Sequence, residues 1–216
     1  MIIVQNIHKS YHKIEVLKGI DVAIKKGEIV SIVGASGAGK STLLHILGTL
    51  DQADSGSVVI NDVNTELLTG KKLAEFRNKN VGFIFQFHHL LPEFTAIENV
   101  CIPAFIGKAN KADAETQAIE LLTFLGLSHR IHHKPSEMSG GEQQRVAVAR
   151  ALINKPAIVM ADEPSGNLDS TSAKELHTLF FTLREQLNQT FVIVTHNEEL
   201  ADMADRKLTM KDGNII

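Results

Sequence analysis

The stretch Gly34-Ala35-Ser36-Gly37-Ala38-Gly39-Lys40-Ser41-Thr42 constrains this chain more than any other. Gly34, Gly39, Lys40 and Ser41 occupy the fixed places of the pattern G-x-x-x-x-G-K-[ST]. The flanks suit it. Residues 28–33 form an apolar run of strand length, and residues 41–47 read as a helix. Strand, glycine loop and helix together aim free backbone N–H groups and a positive helix end at an anion. Glycines let the backbone curl around phosphate without Cβ clashes. The pattern predicts that Lys40 reaches the outer phosphates and that the Ser41 hydroxyl holds Mg²⁺. The alternative is a chance match in a flexible loop, and the strand and helix on either side speak against it.

Composition narrows the class. A chain of 216 residues with 44% hydrophobic and 22% charged content suits one large soluble domain, or one domain with lobes. The net charge of −3, with 10 histidines counted neutral, argues against general nucleic-acid affinity. Cys101 is the one cysteine, so no internal disulfide forms and a reducing compartment is expected. Residues 1–6 lack the basic start and apolar core of a secretory signal. No run approaches the ~18 apolar residues of a membrane span, so a membrane role is expected to come through a partner.

Read in order, residues 2–4 open as a short strand, with Tyr11 in the polar segment after it. Tyr11 can either stack on a base or sit half-buried at the surface. Residues 16–24 and 57–60 read as strands, and Thr69 can cap a helix over 71–79. Residues 81–85 form a strand ending at Gln86, where an α/β fold often carries a functional group, though a plain loop residue fits as well. From 88 to 156 the composition turns helical: Thr95 caps residues 96–105, and Pro103 ends or kinks that helix. Ala114, Ala118, Leu121, Leu122 and Leu125 fall at helical spacing before Gly126. Ser139-Gly140-Gly141 opens a helix over 144–153, either as a second anion site or as a simple helix start.

Residues 157–161 form a buried strand that ends in Asp162 and Glu163. At the carboxyl end of a parallel strand, Asp162 can hold Mg²⁺ and Glu163 can orient an attacking water as a base. Asp169 or Ser170 caps a helix whose core face carries Leu176, Leu179, Phe180, Leu183 and Leu187. Residues 191–195 form another buried strand with His196 at its end, and residues 208–216 a hairpin turning at Asp212-Gly213. His129, His132 and His133 lack acidic or cysteine neighbours at a recognised metal spacing, so a metal is disfavoured. For His88-His89 a partner surface is the better reading.

In this order, Tyr11, Gly34 to Ser41, Gln86, Ser139-Gly140-Gly141-Glu142, Asp162-Glu163, Ser165 to Asp169 and His196 resemble the ATP-binding cassette ATPases along nearly the whole chain. The resemblance implies a phosphate-loop α/β core with an N-terminal antiparallel β subdomain and an inserted helical subdomain at about 88–155, within one domain spanning 1–216. It implies ATP and Mg²⁺ as cofactors. Tyr11 would stack on adenine, Gly34 to Thr42 would wrap the phosphates, and Ser41, Gln86 and Asp162 would serve the metal. Glu163 would polarise water and His196 would contact the γ-phosphate. Ser139, Gly140 and Gly141 would cover that phosphate from the other subunit of an ATP-dependent head-to-tail homodimer, with Asp169 in the loop linking the two sites. Met138 stands where Leu is usual and Glu142 where Gln is common, and neither undermines activity.

Residues 85–100 and 163–169 are similar to the ATPases of lipoprotein-releasing systems, with MacB-type export and FtsE-type division ATPases as near relatives. This implies integral membrane partners of the LolC/LolE type, no nucleic-acid partner, and a peripheral place on the cytoplasmic face of the inner membrane. Phe87, Leu90, Leu91 and Phe94 would then touch a coupling helix of the membrane subunit. Two rivals fit less well. A small-molecule kinase gives no reason for Ser139-Gly140-Gly141. A soluble cassette ATPase acting on DNA or ribosomes would need a second cassette or a coiled-coil insertion.

Overall fold

The computed structural model describes all 216 residues. Strands β1 (Ile2–Tyr11), β2 (Ile14–Ile24), β4 (Ser55–Ile60) and β5 (Val63–Asn64) build an antiparallel sheet in the order β2-β1-β4-β5. Strand β1 is longer than the segment 2–4 expected, and Tyr11 belongs to it. The polar pair Gln5-Asn6 breaks the alternation, but the strand shifts register between Val4 and Ile7, with Asn6 at φ 48°. That irregularity returns Ile7 to full burial and lets pairing run on to Tyr11.

The second sheet holds β3 (Ile29–Val33), β6 (Val81–Phe85), β7 (Ile158–Asp162), β8 (Phe191–Val194), β9 (Arg206–Lys211) and β10 (Asn214–Ile215), ordered β10-β9-β3-β8-β7-β6. The five strands from β9 to β6 run parallel, and β10 pairs antiparallel at the edge as the expected hairpin. Their period of two divides the core. Val192 and Val194 of β8, with Met160 of β7 and Ile32 of β3, pack toward the first sheet and α1 (Lys40–Leu47). Phe191 and Ile193, with Val159, Ala161 and Ile84, pack toward helices on the other side. Those helices are α3 (Ala96–Ile106), α4 (Lys111–Phe124), α5 (Gly140–Leu152), α6 (Ser170–Leu187) and α7 (Glu198–Met203). Phe180 and Phe191 lie fully buried with ring centroids 5.1 Å apart. Each such side chain contributes about 1.5–3 kcal/mol through burial.

Local signals account for most helix ends. Thr95 and Glu98 form a reciprocal capping box, and Pro103 falls in the last turn of α3 without ending it before Ile106. Gly126, at φ 75°, follows the end of α4. Several expectations need correction. Helix α5 starts at Gly140 rather than 144, because Ser139 caps it and both glycines enter the first turn. Helix α2 (Gly70–Asn80) has Thr69 at its N-cap, yet that side chain makes no capping bond. Leu187 is 50% exposed, since the end of α6 outruns the core its periodicity follows. Helix α7, at six residues, is too short to show a periodicity. No helix is long and apolar enough to cross a membrane.

Because β3, β6, β7 and β8 are parallel, the residues that follow each of them emerge at one edge of the sheet. Gly34, Gln86, Glu163 and His196 are therefore brought to a common rim from distant parts of the sequence.

Candidate active site

The loop after β3 is held open by glycine. Gly34 has φ 150°, and a Cβ there would lie 2.2 Å from the Met210 carbonyl oxygen. Gly39, the α1 N-cap, has φ 100°, and a Cβ there would lie 2.9 Å from a Leu17 methyl carbon and 3.0 Å from the Val16 carbonyl oxygen. No side chain caps α1 and no acidic residue sits in its first turn, so its N–H groups stay available to an anion. Lys40 is 6% exposed and its Nζ donates to the carbonyls of Gly34 and Ala35, at 2.9 Å each. Two of its three ammonium donors are thus committed to the loop and one is free.

Ser41 Oγ donates to Asp162 Oδ1 at 3.3 Å, joining the first turn of α1 to the end of β7. A hydroxyl beside a carboxylate is an oxygen pair of the kind Mg²⁺ prefers. Glu163 follows with φ 47°, a left-handed conformation fixed by its N–H donating to the Val194 carbonyl at 2.9 Å. The Oε2 atom of Glu163 accepts the His196 N–H at 3.1 Å. Its Oε1 is buried without a hydrogen-bond partner, 3.4 Å from His196 Nε2. The structure thus leaves one carboxylate oxygen of Glu163 unpaired beside His196.

Lys40, Ser41, Thr42, Glu163 and His196 share a cleft of about 360 Å³ with Tyr11, Ser36 and Gly37. Ala35 and Ala38 complete the loop turn, with Ala38 N–H donating to Ala35. Tyr11 is 43% exposed and donates its hydroxyl to Asp51 at 2.5 Å, while Lys9 Nζ lies 5.2 Å from its ring centroid. The bond to Asp51, helped by burial, raises the Tyr11 phenol above its ordinary range.

The other expected residues lie outside this cleft. Gln86 Nε2 donates to Asn167 Oδ1 at 2.9 Å, and Asn167 Nδ2 returns a bond to the Gln86 carbonyl. Gln86 is thereby tied to the loop after β7 instead of facing Ser41. Ser139, Gly140 and Gly141 begin α5 away from the cleft and face the start of α6: a Cβ on Gly141 would meet Ser172 Oγ at 2.9 Å. Asp169 caps α6, accepting from the N–H groups of Thr171 and Ser172 and from the Ser172 hydroxyl. Those bonds, the Ser172 hydroxyl first, hold its carboxyl below the usual range.

Glu142 does more than cap. It exchanges bonds with Ser139 and accepts from Arg130 Nε at 2.8 Å. The Arg130 bond, aided by Ser139 and opposed by burial, brings its carboxyl down to about 2 from 4.5. A depressed folded-state pKa stabilises above the unfolded value and loses that effect as pH falls through the folded one. The difference amounts to at most about 3 kcal/mol at neutral pH. The variant Glu142→Gln is therefore expected to lower stability by about 1–2 kcal/mol at pH 7, with the gap shrinking as pH falls from about 5 to 2. Urea unfolding of both chains across that range measures it.

Comparison with known proteins agrees with this geometry. The profile of the family described as ABC transporter matches residues 17–166. The chain belongs to that family of ATP-binding cassettes, and it is an ATPase. Its fold likewise matches the dimeric ATP-binding cassette MJ0796 in a post-hydrolysis state bound to ADP and Pi, with TM-score 0.89 and 38% identity over 100% of this chain and 96% of that one. Within the family, it is similar to the lipoprotein-releasing system ATP-binding protein LolD of Cytophaga hutchinsonii, at 64% identity over 98% of this chain and 96% of the relative. The LolD protein of Bacteroides thetaiotaomicron is 60% identical over 100% and 99%.

Proposed function

We propose that this chain is the ATP-hydrolysing subunit of a transporter that releases lipoproteins from the inner membrane. The identity of 64% with a relative of that name, over nearly the full length of both, carries the reading. In it, residues 1–216 act as one domain whose residues 88–155 form a helical lobe. Lys40 and the loop N–H groups hold the triphosphate, Tyr11 packs on the base, and His196 contacts the γ-phosphate. Ser41, Asp162 and Gln86 would hold Mg²⁺, which would supply positive charge against the phosphate negative charge when bound. For that, Gln86 must leave Asn167.

Glu163 takes the proton of the attacking water on its carboxylate. The water oxygen then bonds to the γ-phosphorus as the bond to ADP breaks. Within one chain, Ser139, Gly140 and Gly141 do not line the cleft, and Ser139 and Gly140 are exposed. A second chain, placed head to tail, would bring them over the γ-phosphate and exclude water, which strengthens each electrostatic contact. The dimeric MJ0796 cassettes support that arrangement.

Membrane attachment is through integral subunits of the LolC/LolE type, which puts the chain on the cytoplasmic face. Phe87 is 64% exposed, Leu91 44% and Phe94 41%, apolar side chains in the segment after β6, whereas Leu90 packs against the helical core. The variant Leu91→Asp is expected to abolish co-purification of membrane subunits in mild detergent while leaving the isolated chain folded. Survival of the association would remove this patch from the contact. For function itself, Glu163→Gln protein is captured from solubilised membranes. Acylated proteins together with membrane subunits are the expected result, and a membrane partner without acylated cargo contradicts it.

A further inference from the structure

Gln144, in α5, is a fully buried amide five residues beyond Ser139. Its Nε2 donates to two carbonyls: Phe85, just before Gln86, at 3.3 Å, and Pro164, just after Glu163, at 2.6 Å. Its Oε1 meets His88 Nδ1 at 2.5 Å. The two carbonyls fix which end of the amide is which, since only the NH₂ group can donate to them. The Oε1 atom must then accept, so His88 carries its proton on Nδ1. A second group on the same helix reinforces the tie: Arg150 donates to the carbonyls of His88 and His89. The loop after Glu163 is held from α6 as well, where His177 Nε2 lies 3.0 Å from Ser165 Oγ.

We propose that Gln144 is a positioning residue for hydrolysis: its carboxamide clamps the segment after β6 to the loop that carries Glu163, and His88 sets the clamp from the outer side. Gln144 touches neither nucleotide nor water. It acts through Pro164 on the carboxylate of Glu163 and through Phe85 on Gln86. A displacement of residues 87–91 is then passed by His88 and Arg150 into α5 and the catalytic loop together. The inference rests on reading Glu163 as the base.

The test is steady-state ATP hydrolysis by the full chain. Gln144→Leu is expected to lower kcat about tenfold or more while KM for ATP stays within about twofold, because the phosphate loop is untouched and the reacting groups are misplaced. His88→Phe keeps an aromatic ring, somewhat larger than imidazole, and removes the donor, and is expected to lower kcat about fivefold. His88→Asn puts a side-chain N–H near the position of Nδ1 and should restore most of the rate. Nitrogen-15 spectra should show the Nδ1–H tautomer of His88 in the native chain. Native kcat in a folded Gln144→Leu chain overturns the proposal, as does KM rising in step with the fall in kcat. Should Gln144→Leu fail to fold, the His88 pair decides: an Asn variant no faster than the Phe variant overturns it. Glu163→Gln is run in parallel. If that chain hydrolyses ATP normally, the reading of the base fails; if it is inactive while Gln144→Leu and His88→Phe are normal, only the clamp fails.

Discussion

Replacing Glu163 with Gln is expected to lower the rate of ATP hydrolysis by about 10²–10⁴-fold, the usual contribution of a placed general base. The change is nearly isosteric, so the fold should hold. The amide can keep one tie, accepting the His196 N–H through its oxygen as Oε2 does now. It cannot take a proton at the position of Oε1, the buried oxygen left without a partner. Affinity for ATP should therefore remain close to native, measured by equilibrium binding, while phosphate release all but stops. A loss of affinity equal to the loss of rate would instead make Glu163 a structural support of the cleft.

Lys40→Ala is the second large effect. The ammonium is nearly buried and two of its donors are used by the loop itself, so it serves both as ligand and as brace. Removing one such donor to developing charge costs roughly 2.7–4 kcal/mol, or about 10²–10³ in rate. The loop carbonyls of Gly34 and Ala35 would also lose their internal partner. In contrast to Glu163→Gln, this variant is expected to lose rate and ATP affinity together. Native affinity with slow turnover would contradict the role assigned to Lys40.

The two variants differ because the two residues are legible in different ways. The phosphate loop is a local signal: nine consecutive residues carry the turn, the ammonium and the hydroxyl, and the flanking apolar runs carry the strand and helix. Asp162 and Glu163 were readable as a strand end, and the parallel register of β7 against β6 and β8 accounts for their place at the rim. Strand β1 was half hidden, since Asn6 interrupts the alternation on which such readings depend. Contacts across long stretches of chain left no local trace. Gln86 and Asn167 pair across 81 positions, and Tyr11 and Asp51 across 40. Gln144 is harder still, because a buried amide on a helix has no period or spacing of its own. It becomes visible only when three neighbours from two separate segments, Phe85 and His88 from one and Pro164 from the other, converge on it.

Ser139 to Gly141 lie apart from the cleft, so in the proposed mechanism one chain presents an incomplete site. Light scattering during size exclusion of Glu163→Gln protein tests it directly. The expected result is the mass of one chain without nucleotide, twice that mass with ATP and Mg²⁺, and a return to one chain with ADP. Adding Ser139→Glu to the same chain should keep it monomeric in ATP, through the charge it sets against the γ-phosphate. A single-chain mass at saturating ATP, or a dimer indifferent to nucleotide and to Ser139, would contradict it.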